Sequence, residues 1–213
     1  MNMINNIKLN VLMNINYKKF IFFSSLAVYG VDSNNVSITE LSPIITDTYY
    51  GLSKYVSERI FLLNKKHNKE KLIIIRTPTV YGLGDKINAH TPSGFLNILM
   101  EGGKIELWGD GTELREFIYI GDIIYIINKL TDIDYSGIIN TGSGCGYSYK
   151  EAIDIIAKFL NIVPNITNKE RTKEKINKVV KPDNLINIMG NVPFTNLHKG
   201  IELMIEKNNQ HIL

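Results

Sequence analysis

Two stretches of the chain are apolar without interruption: FIFFS at 20–24 and LIIIR at 72–76. Runs of that length with no polar alternation predict strands buried on both faces of a parallel sheet. Between them, residues 48–66 repeat apolar positions at helical spacing and predict a long helix. Strand, helix and strand over this span form a βαβ unit with an expected right-handed crossover. The pattern then shortens. Residues 83–94 read as loop, 95–101 as a short helix and KIELW at 104–108 as a strand. GDGTELR is rich in turn residues and leads into the strand EFIYI, after which Asp122 is placed to cap a helix through Leu130. GIIN at 137–140 predicts another strand. Ser148 followed by Glu151 is a capping box for a helix through Leu160, whose apolar face carries Ile153, Ile156, Phe159 and Leu160. Short strands around a charged loop are expected over 164–181. A closing helix over 194–207 is expected to bury Leu197, Ile201, Leu203 and Met204. Residues 4–16 are weakly helical, with Ile4, Ile7, Val11 and Leu12 at rough helical spacing.

Composition narrows the function more than the fold. The chain has 213 residues, 44% hydrophobic and 21% charged, enough for one sizeable core or two small ones. A net charge of +3 with scattered lysines gives no reason to expect nucleic acid. The single cysteine, Cys145, excludes an internal disulfide and a cysteine-rich zinc site, and the four histidines have no metal-ligand spacing, so no metal is expected. No apolar run approaches membrane-spanning length and MNMINNIKLN is not a signal pattern, so a cytoplasmic protein is expected.

Candidate chemistry lies at the end of the first strand. FIFFS delivers Ser24 and Ser25 to a turn, and the following helix carries Tyr50 and Lys54, four apart and on one face. A hydroxyl facing a Tyr and a Lys can transfer a proton; an ordinary amphipathic helix can also carry such a pair. Gly51, inside that helix, costs about 1 kcal/mol against Ala and points to a close approach there. The Gly-rich turn TGSGCGY at 141–147 mimics a dinucleotide loop. Its spacing is G-x-G-x-G, and LNIVPNITN, where a ribose-binding acid is expected, has none. The turn is assigned a structural role.

Five motifs in order carry a resemblance: FIFFSSLAVYG, YYGLSK, IIIRTPTVYGLG, LWGDGTELREFIYIGD and NTGSGCGYSYKE. Together they resemble the NAD-dependent epimerase/dehydratase family, the extended short-chain dehydrogenase/reductases that act on nucleotide sugars. The resemblance implies an α/β fold: the C-terminal part of a Rossmann-type parallel sheet plus a small α/β substrate-binding domain. It divides the chain into an NAD-side remnant with the catalytic residues (1–82 and 117–142) and a nucleotide-sugar-binding part (83–116 and 143–213). It implies Tyr50 as the acid/base, Lys54 as the residue that binds the nicotinamide ribose and favours the phenolate, and Ser25 as the hydrogen-bond partner of the reacting oxygen, ahead of Ser24. Asn5, Thr77 and Pro78 join Tyr50 and Lys54 on the cofactor side. Thr79 stands where the family commonly has Asn facing the substrate phosphates. Gly121 replaces an acidic residue before Asp122. Arg115 is implied to pair with the diphosphate, a bidentate task suited to Arg; the plainer alternative is an ion pair with Glu113 or Glu116. Arg171 falls near the family's second phosphate-binding Arg, and backbone around Leu107 and Trp108 near the base.

The resemblance also sets expectations about what accompanies the chain. The family opens on a strand and a G-x-x-G-x-x-G turn that holds the NAD pyrophosphate at a helix N-terminus. No such pattern occurs in these 213 residues. About 90–100 upstream residues are expected to be missing, at roughly 30 per βαβ unit. The expected cofactor is NAD or NADP and the expected ligand a nucleotide-diphosphate sugar. Possible partners are a separate chain that supplies the N-terminal half and a second copy of this chain. Three readings remain: part of an epimerase, dehydratase or reductase, an inactive fragment, and a module that binds a nucleotide sugar without chemistry. The isolated chain is expected not to bind NAD at micromolar concentration, and strand 20–24 is expected to have an open edge.

Overall fold

The computed structural model describes residues 17–30, 37–65, 70–85, 91–172 and 174–210. Asn5 and the helix expected over 4–16 fall outside them.

The two apolar runs form β1 (Lys19–Ser25) and β2 (Lys71–Thr77), parallel and in register from Lys19↔Lys71 to Ser25↔Thr77. Helix α1 (Tyr49–Lys65) connects them. The GIIN segment returns much later as β7 (Gly137–Asn140) on the far side of β2, giving the order β1-β2-β7. β2 is therefore central and buried from Leu72 to Thr77, which explains why its sequence shows no polar alternation. Its side chains divide by parity. Ile73 and Ile75 pack with Ile126 and Leu130 of α3 (Ile120–Asp132) and with Ile139, while Leu72 and Ile74 pack with Phe61 of α1. Each such side chain contributes about 1.5–3 kcal/mol on burial. Among the described residues β1 has a strand neighbour on one side only. Lys19 ties β1 across the sheet: its ammonium donates to the carbonyls of Leu130 (2.8 Å), Thr131 (2.6 Å) and Ile133 (2.7 Å) at the C-terminus of α3. A cation there satisfies orphan carbonyls and meets the negative end of the helix dipole.

A second core gathers the rest. β3 (Thr79–Tyr81) pairs with β6 (Phe117–Tyr119), β4 (Lys104–Trp108) with β9 (Asn165–Lys169), and β5 (Leu114–Arg115) antiparallel with β8 (Tyr147–Ser148). Around them pack α2 (Pro92–Met100), α4 (Tyr149–Leu160) and α6 (Leu197–Gln210), which bury Phe95, Ile153, Ile156, Ile201 and Met204. The capping box at Ser148 and Glu151 is formed.

Four helices differ from expectation. Asp122 does not cap α3. That helix opens at Ile120 with Tyr119 as an N-cap that makes no side-chain bond, and Asp122 accepts from Thr195 N (2.9 Å) and Thr195 Oγ1 (2.7 Å). Helix α2 begins at Pro92, three residues early, because Thr91 caps it by accepting from Gly94 N and Pro suits the first turn. Helix α5 (Asp183–Met189) lies in a stretch assigned to no element, while α6 starts and ends three residues late.

Candidate active site

Ser25 ends β1 and begins a 3-10 turn over Leu26–Tyr29, where its hydroxyl caps the turn by accepting from Ala27 N at 3.1 Å. Ser24 points to the opposite face, as strand alternation requires. It is buried and donates to Glu58 Oε1. The chain leaves the turn through Gly30, whose φ of 63° is open to Gly alone without strain. The close approach expected at Gly51 is present: a Cβ there would collide with the carbonyl of Ala27. Gly51 N also donates to Thr48 Oγ1 at 3.0 Å. The first turn of α1 thus rests directly on the 3-10 turn, and this contact brings Tyr50 alongside Ser25. Tyr50 is 56% exposed. Lys54, one helical turn on, holds its ammonium 5.7 Å from the Tyr50 ring centroid and donates to Phe23 O at 2.8 Å.

Beneath these residues lies a buried polar network. Arg76 forms a bidentate pair with Glu58, at 3.1 Å through Nε and 2.7 Å through Nη2. It also donates to Tyr29 OH at 2.7 Å, and Tyr29 donates in turn to Asn140 Oδ1 at 2.8 Å. Burial raises the Tyr29 hydroxyl above its ordinary pKa, opposed by the adjacent Arg76 charge. The network joins the C-terminal ends of β1, β2 and β7 to the middle of α1.

Two cavities open above it. The inner one, about 450 Å³, is lined by Ser25, Tyr50, Thr77, Pro78, Thr79, Arg115 and Lys178, among others. The outer one, about 430 Å³, is lined by Asp47, Trp108, Glu113, Arg115, Arg171 and Lys178, among others. Ala27, Arg115 and Lys178 line both, so the cavities are two ends of one cleft. Among the residues anticipated from sequence, Ser25, Tyr50, Thr77, Pro78, Thr79 and Arg115 meet at the inner end, and Trp108 and Arg171 at the outer. Leu107 is buried in the second core and lines neither cavity. Lys54 sits behind Tyr50 and lines neither cavity.

Arg115 makes neither of the ion pairs considered for it. Its guanidinium donates to the carbonyls of Leu114 (3.0 Å) and Ile176 and lies 5.7 Å from the Tyr149 ring centroid. Glu113 pairs instead with Arg171 at 2.7 Å. Glu116 is buried and accepts from Ser143 N, Ser143 Oγ (2.9 Å), Gly144 N (2.9 Å) and Val180 N (3.0 Å). Burial pushes this carboxyl above its ordinary pKa and the hydrogen bonds oppose the rise. A Cβ at Gly142 would collide with the same carboxylate. The Gly-rich turn is therefore shaped around an internal acid, in agreement with its structural assignment. Glu116 and Lys178 were not anticipated as site residues. The turn was the available signal for Glu116, because bare Gly-rich amides need an anion. Lys178 lies in the charged loop, where sequence offers no way to separate an inward lysine from a solvated one.

The family model for the NAD dependent epimerase/dehydratase family matches residues 2–142. The chain belongs to this family. A Methanocaldococcus jannaschii relative is 28% identical over 197 residues, covering 90% of this chain and 64% of its own length. UDP-glucose 4-epimerase of Lactobacillus helveticus is 29% identical over 173 residues, 72% of this chain and 52% of its own. The chain thus spans between about half and two thirds of these relatives. In fold it is similar to UDP-glucuronic acid 4-epimerase from Bacillus cereus, solved with UDP-glucuronic acid and NAD. The TM-score is 0.86 at 22% identity, over 98% of this chain and 67% of that one. The α/β architecture is that of a Rossmann-type family enzyme, as expected. Among the described residues no helix is long and apolar enough to cross a membrane, and no group of three or more His, Cys, Asp or Glu could hold a metal.

Proposed function

We propose that this chain is the catalytic and substrate-binding part of an NAD-dependent nucleotide-sugar epimerase, dehydratase or reductase. The observation that carries this reading is the single cleft, with Ser25 and Tyr50 at one end, Trp108 at the other and Arg115 common to both. A nucleotide sugar has the same order: a sugar to be oxidised, a diphosphate, and a flat base.

In this reading the Tyr50 hydroxyl moves a proton to or from a sugar hydroxyl, and Ser25 Oγ, already fixed by Ala27 N, orients the reacting oxygen. Lys54 favours the phenolate and reaches the cofactor ribose by leaving Phe23 O. Residues 1–82 and 117–142 form the cofactor side, 83–116 and 143–213 the substrate side. The cofactor face fits the nicotinamide end of a dinucleotide: Tyr50, Thr77 and Pro78 line it, and Phe23 beside Lys54 is 45% exposed. NAD, when bound, supplies the hydride acceptor. Its pyrophosphate would rest on a Gly-rich turn from another segment or chain. A second reading, a binder of nucleotide sugars without chemistry, is favoured by one contact, the Lys54 ammonium held on the Phe23 carbonyl.

Calorimetry with UDP-, GDP- and dTDP-hexoses, followed by chromatography of products formed with NAD, separates these readings. Heat is expected from the chain alone, and turnover once the segment that holds the NAD pyrophosphate is supplied with it, where Tyr50→Phe should lower turnover about 100-fold or more and leave affinity unchanged. Heat without turnover leaves the binding module. No heat with any sugar nucleotide ends both readings.

A further inference from the structure

We infer that Lys178 is the second cation of the cleft and, with Arg115, forms a clamp for the diphosphate of a nucleotide sugar, while Arg171 instead positions Trp108. This rests on the reading of the cleft given above and changes which residues hold the charged middle of the ligand.

Three observations lead to it. Arg115 and Lys178 are lateral neighbours: their backbones form a parallel bridge, and Lys178 N donates to Leu114 O at 3.0 Å. Both residues line both cavities, which places them where the cavities adjoin, the position of the diphosphate in the reading above. Second, Lys178 is half-buried, and among the described residues no ion pair includes it. The charges it feels are Asp47, which attracts its ammonium, and Arg115, which repels it, while burial pushes its pKa down. Two like charges facing one gap away from bulk water are stabilised by an anion between them.

Third, Arg171 is already neutralised. Its Nη2 pairs with Glu113 at 2.7 Å, lies 3.8 Å from Asp110 and donates to Trp108 O at 3.1 Å. A phosphate at Arg171 would have to displace a partly buried carboxylate. The same contacts tie the loop after β4 to the loop after β9, which fixes the backbone that carries the Trp108 ring.

Trp108 is the only tryptophan in the chain and lines the outer cavity, so its emission reports on the cleft. Titrating the full chain with UDP, GDP, dTDP and inorganic pyrophosphate tests the clamp. Lys178→Met is expected to weaken pyrophosphate and the matching nucleotide by about 10- to 100-fold. Lys178→Arg should hold both within about threefold. Arg171→Met should hold pyrophosphate within about threefold while shifting the emission of the free protein. The clamp is overturned if Lys178→Met binds pyrophosphate as wild type does, or if Arg171→Met loses as much. Should Lys178→Met fail to fold by circular dichroism, Lys178→Gln is read in its place. Pyrophosphate binding that depends on Lys178, with no sugar nucleotide bound, keeps the clamp and removes the nucleotide-sugar reading. Nucleotide binding indifferent to Lys178 does the reverse, and no binding of either ligand removes both.

Discussion

Arg76 and Glu58 are only 3% and 1% exposed and pair with each other beside the end of β1. Removing two charges from water costs several kcal/mol each, and only excellent geometry offsets it. Here the geometry is bidentate, and Tyr29 and Ser24 bond to the two partners from either side. Arg76→Met alone should therefore cost about 3–5 kcal/mol, because Glu58 is left buried without a partner. Arg76→Met combined with Glu58→Leu should recover most of that loss, as urea denaturation will show. The pair was not legible from sequence. Arg76 closes an apolar run and Glu58 sits in an ordinary helical stretch, and what unites them is the register of β2 against α1. The placing of Tyr50 and Lys54 on one helical face was legible because their relation is local, a single helical repeat.

At the level of elements, α1 and the 3-10 turn behave as one unit, joined where Gly51 meets the Ala27 carbonyl. Helix propensity alone says that Gly51→Ala should stabilise α1 by about 1 kcal/mol. The collision says the opposite: an added methyl must lift the helix from the turn, at about 1–3 kcal/mol. Thermal denaturation of Gly51→Ala should show a lower midpoint. Sequence fixed the long elements well and their ends poorly. Asp122 has the form of a cap, but its carboxylate is taken by Thr195, 73 residues away. Only tertiary contact decides between those two uses of the same side chain.

Across the whole molecule, Glu116 joins parts distant in the chain, holding the turn at 142–144 and the strand-like segment at Val180 around the end of β5. Its carboxyl has a raised pKa in the folded state, so folding favours its protonated form. Its contribution is therefore complete below the ordinary value of 4.5 and declines as the pH rises through the raised one. Urea stability should fall over that window. Glu116→Gln should flatten the step while costing about 1–3 kcal/mol, because its amide turns a donor toward backbone N–H groups that need an acceptor. Neither this junction nor the orientation of Lys178 follows from periodicity, since both depend on how distant loops meet. The placement of β7 has a consequence for synthesis. Among the described residues β2 gains its second strand neighbour only when β7 arrives, roughly sixty residues and some 3–12 s of translation later. Throughout that interval β2, buried from Leu72 to Thr77 in the finished fold, has one edge bare. The nascent chain is therefore a natural client for a holding chaperone until Asn140 has emerged from the ribosome.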